Sequence, residues 1–550
     1  MVELINHGVY LLNGTEIRDN YQGMTPDEAR ENTITYGILR SHDVDGGKGN
    51  KMRIRFDAMM SHDITYVGII QTARASGLEE FPLPYAMTNC HNSLCAVGGT
   101  INEDDHVFGL SAAKKYGGIY VPANQAVIHQ YAREMMVTCG NMILGSDSHT
   151  RYGSLGNMGV GEGGGELVKQ LLKNTWDINA PEVVLVWLEG APKKGIGPHD
   201  VAISLVKATF ESGVVKNKVL EFAGPGVKNL PIDFRNGIDI MTTETTCLSS
   251  IWITDDEVKH HYEIHERPQD YRELKPGDVA YYDMMIRIDL STQESMIALP
   301  FHPSNAVTIH ELQADPVGIL TRIEEDAKKR FGDKVDVHLV DKVVDGKVQA
   351  DQGIIAGCSG GTYDNLAEAA AILKGKNIGN DYFTASAYPQ STPVSMAVTR
   401  EGITADLIEA GVVMKPAFCG PCFGAGDVPS NNGLSIRHTT RNFPNREGSK
   451  PGQGQLSLVA LMDARSIAAT AANGGIITAA TDVEYENTHK PYVYNGFGKA
   501  RPETELRYGP NIKDWPKMYP KKSSRNVPIT PTVKTIGKRC TSLRLSGYFL

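Results

Sequence analysis

The sequence predicts an α/β protein of several domains, and three observations carry that prediction. Helix-period and strand-like segments alternate along most of the chain, the pattern of helices packed on largely parallel sheets. The chain is 550 residues long, room for roughly three to four domains at about 150 residues each. Its composition, 41% hydrophobic and 22% charged, is that of a chain that buries real cores and needs no disulfide staples.

The elements follow in order. Residues 124–134 look helical. Strand-like Asn141–Leu144 leads into a polar loop, the glycine run Gly159–Gly165, and helical Glu166–Lys173. Strand-like Glu182–Leu188 precedes a Pro/Lys/Gly linker. A helix then reads through Asp200–Phe210, with Pro198 near its start. Pro316–Phe331 is a second clear helix, stopped by Gly332. Strand-like Asp336–Val340 leads to the hairpin signal Asp345-Gly346. Gly353–Ile355 reads as a strand, followed by a glycine-rich turn and helical Leu366–Leu373. Ser457–Ala472 reads as one helix stopped by Asn473-Gly474. There is no internal repeat. Breaks near Pro192–Pro198, near Pro300–Ser304 and after Gly475 divide the chain into 1–190, 191–300, 301–475 and 476–550. From Lys521 onward there are seven Lys or Arg and no Asp or Glu. That basic stretch is expected to be a poorly ordered tail.

Charge and hydropathy exclude several functions. The net charge is −9 and the pI is near 6.0, so a general nucleic-acid binder is not expected. No run of 18 apolar residues exists, so no membrane-spanning helix is expected. The first residues lack a basic n-region followed by an apolar h-region, and a cytoplasmic chain is expected. Eight cysteines are too sparse for a disulfide scaffold. Five of them, Cys90, Cys95, Cys139, Cys247 and Cys540, read as small core thiols.

Cys358, Cys419 and Cys422 sit in contexts that suggest chemistry. The run Cys419-Gly-Pro-Cys422 could be half of a zinc site, a redox dithiol, or part of an iron–sulfur site. The redox reading needs a helix opening at the motif, but the loop signal Gly424-Ala-Gly426-Asp427 follows. A closed zinc site needs a second pair, which is missing. Cys358, on the turn Gly357-Cys-Ser-Gly-Gly361 between a strand and a helix, lies where α/β folds present ligands. Three thiolates could hold three irons of a [4Fe–4S] cluster and leave the fourth open as a Lewis acid.

Cys358 with Cys419-Gly-Pro-Cys422 resembles the cluster-binding set of the aconitase family, which includes the isopropylmalate isomerases. Ile128-His129-Gln130, Gly145-Ser-Asp-Ser-His-Thr150, the glycine run, Met241-Thr-Thr-Glu244 and Arg441-Asn-Phe-Pro-Asn-Arg446 resemble family motifs in the family's order. The resemblance spans about residues 25–475. It implies three α/β domains around a cluster, closed in full-length members by a fourth, mobile swivel domain. It implies a hydro-lyase acting on a hydroxy di- or tricarboxylate. By that likeness His129 would pair with Asp147, and His149 with Glu244, to manage protons around the hydroxyl. By the same likeness Arg441 and Arg446 would fork a carboxylate, Ser148 would add a hydrogen bond, and His62 stands where members often contact substrate with glutamine. The glycine run also fits GxGxxG, but with the nearest clear strand ending near Gly145 a dinucleotide site is not expected.

The sequence also departs from the family. Its usual Cys-Asp-His stretch is matched here by Asn89-Cys90-His91-Asn92-Ser93, so an amide is expected where the family has its imidazole. Tyr152 and Ile240 replace asparagines, which argues against citrate and isocitrate as the substrates. The swivel domain, which carries the family's serine base, is not expected within these residues. Pro510-Asn-Ile-Lys-Asp-Trp515 resembles the linker that precedes it. A separate small subunit could supply that domain, or the chain is a truncated or frame-altered product, which the uncharacteristic tail favours. The chain alone is then expected to bind a cluster and turn over poorly. Two other readings are a non-catalytic iron–sulfur or iron-sensing protein and a thiol oxidoreductase using Cys419 and Cys422.

Overall fold

The computed structural model describes residues 2–46, 49–91, 99–332, 335–379, 381–444, 446–447, 454–490 and 503–516. Cys95, Cys540, Asn92, Ser93 and the basic tail lie outside the described residues.

Three larger sheets organise an α/β architecture. The first is all parallel, in the order Ile119–Val121, Tyr85–Thr88, Ala58–His62, Met142–Gly145, Met158–Gly161. The second runs Val2–Ile5, Met284–Asp289, Val183–Glu189, Val219–Ala223, Ser249–Trp252, with only the first strand antiparallel. The third has seven strands, Ala306–Thr308, Met296–Ala298, Leu458–Met462, Leu434–His438, Gln352–Ile355, Thr384–Ala387 and Val413–Met414. Its first two pairings are antiparallel and the rest parallel. Sheet membership does not follow chain order. Val183–Glu189 precedes the break near 190 yet sits in the middle of the second sheet, and the N-terminal strand closes that sheet's edge.

Some elements differ from the sequence reading. Ser457–Ala472 is a strand, Leu458–Met462, followed by a helix, Ala464–Ala472. The strand is buried throughout and paired on both sides. A strand covered on both faces loses its alternation and reads like a buried helix segment. Asp463 divides the two, its side chain accepting from the Arg465 amide as N-cap. Asp336–Val340 is not a strand. The hairpin forms just beyond it, Val343–Val344 with Lys347–Val348, turning on Asp345 and Gly346 at φ 49° and 75°, as a two-residue turn of left-handed residues requires. The helix expected over 124–134 is Ile128–Met135, because Asn124 takes φ 67°. The glycine run contains a strand, Met158–Gly161, ahead of helix Gly164–Leu171.

One hydrophobic cluster joins all three sheets. Met60, Ile143 and Tyr152 from the first meet Ile203, Ile240 and Met241 from around the second and Ala298, Cys358, Cys419 and Leu461 from the third. The segment expected as a linker is docked: Ile512 is 4% exposed within the first sheet's core. Gln71 Nε2 donates to the Lys513 carbonyl at 2.7 Å, and Arg74 binds Trp515 O and Asp514. No helix among the described residues is long and apolar enough to cross a membrane.

A candidate active site where three sheets meet

In a parallel sheet, the loops after neighbouring strands emerge at one edge, where ligands usually bind. Here three neighbouring strands end in His62, in Thr88 followed by Cys90-His91, and in Gly145 followed by Asp147. The Asp147 loop curls tightly. Its amide at His149 donates to Asp147 Oδ1 at 2.7 Å, and Thr150 Oγ1 donates to the Asp147 carbonyl at 2.7 Å. Glycines make room for it. A Cβ at Gly161 would sit 2.5 Å from Asp147 O, one at Gly159 2.8 Å from Thr150 O, and one at Gly145 would collide with the Thr150 hydroxyl. Gly159 and Gly161 lie in the strand that backs the loop, so the run serves the site and does not precede a phosphate cradle.

His129 is carried on the first turn of Ile128–Met135. Its Nε2 meets Asp147 Oδ1 at 3.0 Å and its Nδ1 meets the Tyr152 hydroxyl at 3.0 Å. Tyr152 therefore holds the ring's second nitrogen, while Ile240 is fully buried in the shared core. His149 Nε2 reaches Glu244 Oε1 at 2.7 Å, and the same oxygen accepts from Arg441 Nε at 2.7 Å. Glu244 is placed by the short 3₁₀ turn Thr242–Thr245 that ends helix Ile232–Met241. Ser148 is exposed, its Oγ 3.5 Å from His149 Nδ1. Arg441 and Arg446 lie 5.3 and 5.4 Å from the centroid of the Phe443 ring between them. Arg446 also donates to the Cys422 carbonyl. The structure thus connects His129, Asp147, His149, Glu244 and Arg441 in one line, with Arg446 beside it. His62 sits at the edge, its Nε2 3.8 Å from Asp147 Oδ2 and its buried Nδ1 without a hydrogen-bond partner.

His91 is the residue that sequence reasoning missed. Its Nε2 lies 3.5 Å from Asp147 Oδ2 and its ring 4.0 Å from that of His62. The amide expected in the family's imidazole position, Asn92, lies outside the described residues, and His91 places an imidazole beside Asp147. Its backbone amide donates to Asp63 Oδ1 at 3.0 Å, and its Nδ1 meets Cys90 Sγ at 3.3 Å. No local signal marked it, because His91 owes its place to following a strand paired with the one ending in His62.

The electrostatics are those of a dense buried network. Burial opposes an ionised Asp147, but His129, His149 and His91 hold its carboxyl well below the usual range. Burial likewise opposes Glu244, yet Arg441 and His149 lower it to about 2. Burial lowers His129 and, together with His91, takes His62 down to about 3. His91 goes the other way. Burial works against its charge, but Cys90 and Asp147 raise it well above its ordinary value. Burial and the charge of Arg441 both press on Arg446, a strain that a bound anion would relieve.

The three cysteines converge from two glycine-rich turns. Cys358 lies in the turn Gly357–Gly360 after strand Gln352–Ile355, Cys419 caps the short turn Gly420–Phe423, and Cys422 lies within it. Gly357, at φ 73°, leaves space that a Cβ would fill by striking the Cys422 sulfur. Cys90, burial, Cys422 and Cys358 all raise the Cys419 thiol, and burial and Cys422 raise Cys358. Thiols crowded so that each disfavours its neighbour's charge suit a thiophilic cationic group, and the donor set fits an iron–sulfur cluster. The helix after Cys419 is only Gly420–Phe423, closed by Gly424 at φ 92°, not the long helix a dithiol motif would open.

The model of the Aconitase family (aconitate hydratase) matches residues 36–469 of the chain. A 3-isopropylmalate dehydratase large subunit from Elusimicrobium minutum is 27% identical over 62% of this chain and 73% of its own length. That from Clostridioides difficile is 24% identical over 79% of this chain and 97% of its own. The mitochondrial aconitate hydratase of Schizosaccharomyces pombe is 26% identical over 80% of this chain and 56% of its own. The chain thus spans little more than half of that aconitate hydratase and nearly all of the clostridial large subunit.

Proposed function

This chain belongs to the aconitase family, and on that premise we propose that it is a hydro-lyase that removes water from, and returns it to, a hydroxy di- or tricarboxylate. The observation that carries this reading is the continuous contact line His129–Asp147–His149–Glu244–Arg441 laid beside the sulfurs of residues 358, 419 and 422. Cys358, Cys419 and Cys422 would hold a [4Fe–4S] cluster, which when bound supplies an electrophilic iron that polarises a hydroxyl and a carboxylate.

The protein's own groups do the rest. Ionised Asp147 accepts from His129 Nε2, so that the ring's Nδ1 accepts from Tyr152 and its orientation is fixed. Ionised Glu244 keeps the His149 proton on Nε2 and leaves Nδ1 facing exposed Ser148. His91, held charged between Cys90 and Asp147, is the donor best placed to give a proton to a departing hydroxyl. Arg446, which makes no ion pair among the described residues, binds a substrate carboxylate, while Arg441 shares itself between substrate and Glu244. The base for the carbon-bound proton is assigned to a swivel domain carried by a partner chain, a source that the relatives named large subunits support.

The test is an anaerobic assay of iron- and sulfide-loaded protein on a panel of hydroxy di- and tricarboxylates, with and without a swivel-type subunit. Double-bond absorbance should appear with at least one acid in the presence of the subunit. Its absence with every acid, in protein that carries iron and sulfide, would overturn the reading.

A further inference from the structure

A second set of metal-binding atoms lies against the three sulfurs. Cys90 follows the strand Tyr85–Thr88, and Cys419 opens the turn Gly420–Phe423. The Cys419 amide donates to the Cys90 carbonyl at 2.8 Å, which fixes the two backbones side by side. The sulfurs of Cys90 and Cys419 and a ring nitrogen of His91 lie within 4.8 Å of one another. Ligand atoms of a tetrahedral zinc ion stand about 3.3–3.8 Å apart at ordinary bond lengths, so small rotations would close the set. All three residues are buried, and Asp63 anchors the backbone of His91. Two thiolates and an imidazole are soft donors that select zinc-like ions over magnesium or calcium.

We propose that Cys90, His91 and Cys419 form a site for one thiophilic divalent cation, of the Zn2+ class, which the clusterless protein fills. The exclusion that follows rests on the reading of Cys419 as a cluster ligand: a sulfur held by this buried ion is withheld from the cluster, so an ion here slows cluster assembly. His91, which follows Cys90 where the family usually has aspartate, thereby gives the pocket two alternative metal contents.

Cobalt(II) added to anaerobic, clusterless protein tests this, because thiolate ligation gives a charge-transfer band. The intact chain should show that band, and Zn2+ should abolish it. Cys90→Ser and His91→Ala should weaken cobalt binding at least about tenfold, while Cys358→Ser leaves it unchanged. Zn2+ should also slow iron and sulfide uptake in the intact chain but not in Cys90→Ser. A folded chain, judged by circular dichroism, that shows no band would overturn the proposal. So would a band lost in Cys358→Ser and kept in Cys90→Ser, which would put cobalt on the other three sulfurs. Failure of the cluster reading is seen separately, as Cys90→Ser protein that takes up neither iron nor sulfide.

Discussion

Asp147 is the residue on which the site turns, since its two oxygens face four imidazoles. Replacing it with asparagine removes the charge that orients His129 and sustains His91. Asp147→Asn should lower kcat by about 10²- to 10⁴-fold with an unchanged circular dichroism spectrum, and a smaller loss would move the proton chemistry elsewhere. Glu244 makes a pH prediction. Its carboxyl drops to about 2 in the fold, against about 4.3 in an unfolded chain. A depressed pKa contributes stability that is full above about 4.3 and lost as pH falls from there toward 2. Between about pH 4.5 and 3 the melting temperature should therefore fall less steeply in Glu244→Gln than in the parent, and equal slopes would contradict the assigned ion pairs. At this scale the motifs announced most of the cluster of side chains. His129, Asp147, His149, Glu244 and Arg441 could be named before their contacts were seen. His91 could not, because its place depends on which strands are neighbours, and that information is tertiary.

Among the elements, the glycine run shows how a local pattern can mislead. It fits a dinucleotide fingerprint by spacing, but two of its glycines lie inside a strand and are pressed against the backbone of the Asp147 loop. Gly161→Ala should cost about 1–3 kcal/mol in urea unfolding and reduce turnover. Gly165→Ala, where a Cβ meets nothing within 4 Å in a helix, should be neutral or stabilising by up to about 1 kcal/mol. Equal costs would mean that the loop contact is not what the glycines provide. The helices of this chain were legible from their 3.6-residue period and stops, as in Pro316–Phe331. The central strand Leu458–Met462 was not, since burial on both faces erases the alternation that identifies a strand.

Across the whole molecule, the order of motifs along the sequence foretold a site shared between α/β units, and the shared hydrophobic cluster is where those units meet. The assignment of strands to sheets was hidden. Val2–Ile5 pairs with Met284–Asp289 across most of the chain's length, a contact with no local signature. The docking of 503–516 was hidden for the same reason. Ile512→Ala should destabilise the protein by about 2–5 kcal/mol in chemical denaturation, whereas a loose linker would leave stability untouched. The account as a whole stands on three sulfurs from distant turns acting as one ligand set. The most direct measurement is the iron and acid-labile sulfide retained after anaerobic reconstitution of the intact chain and of Cys358→Ser. The account predicts about four of each per intact chain and a sharp loss of both in the variant. Equal iron and sulfide in the two proteins would contradict it.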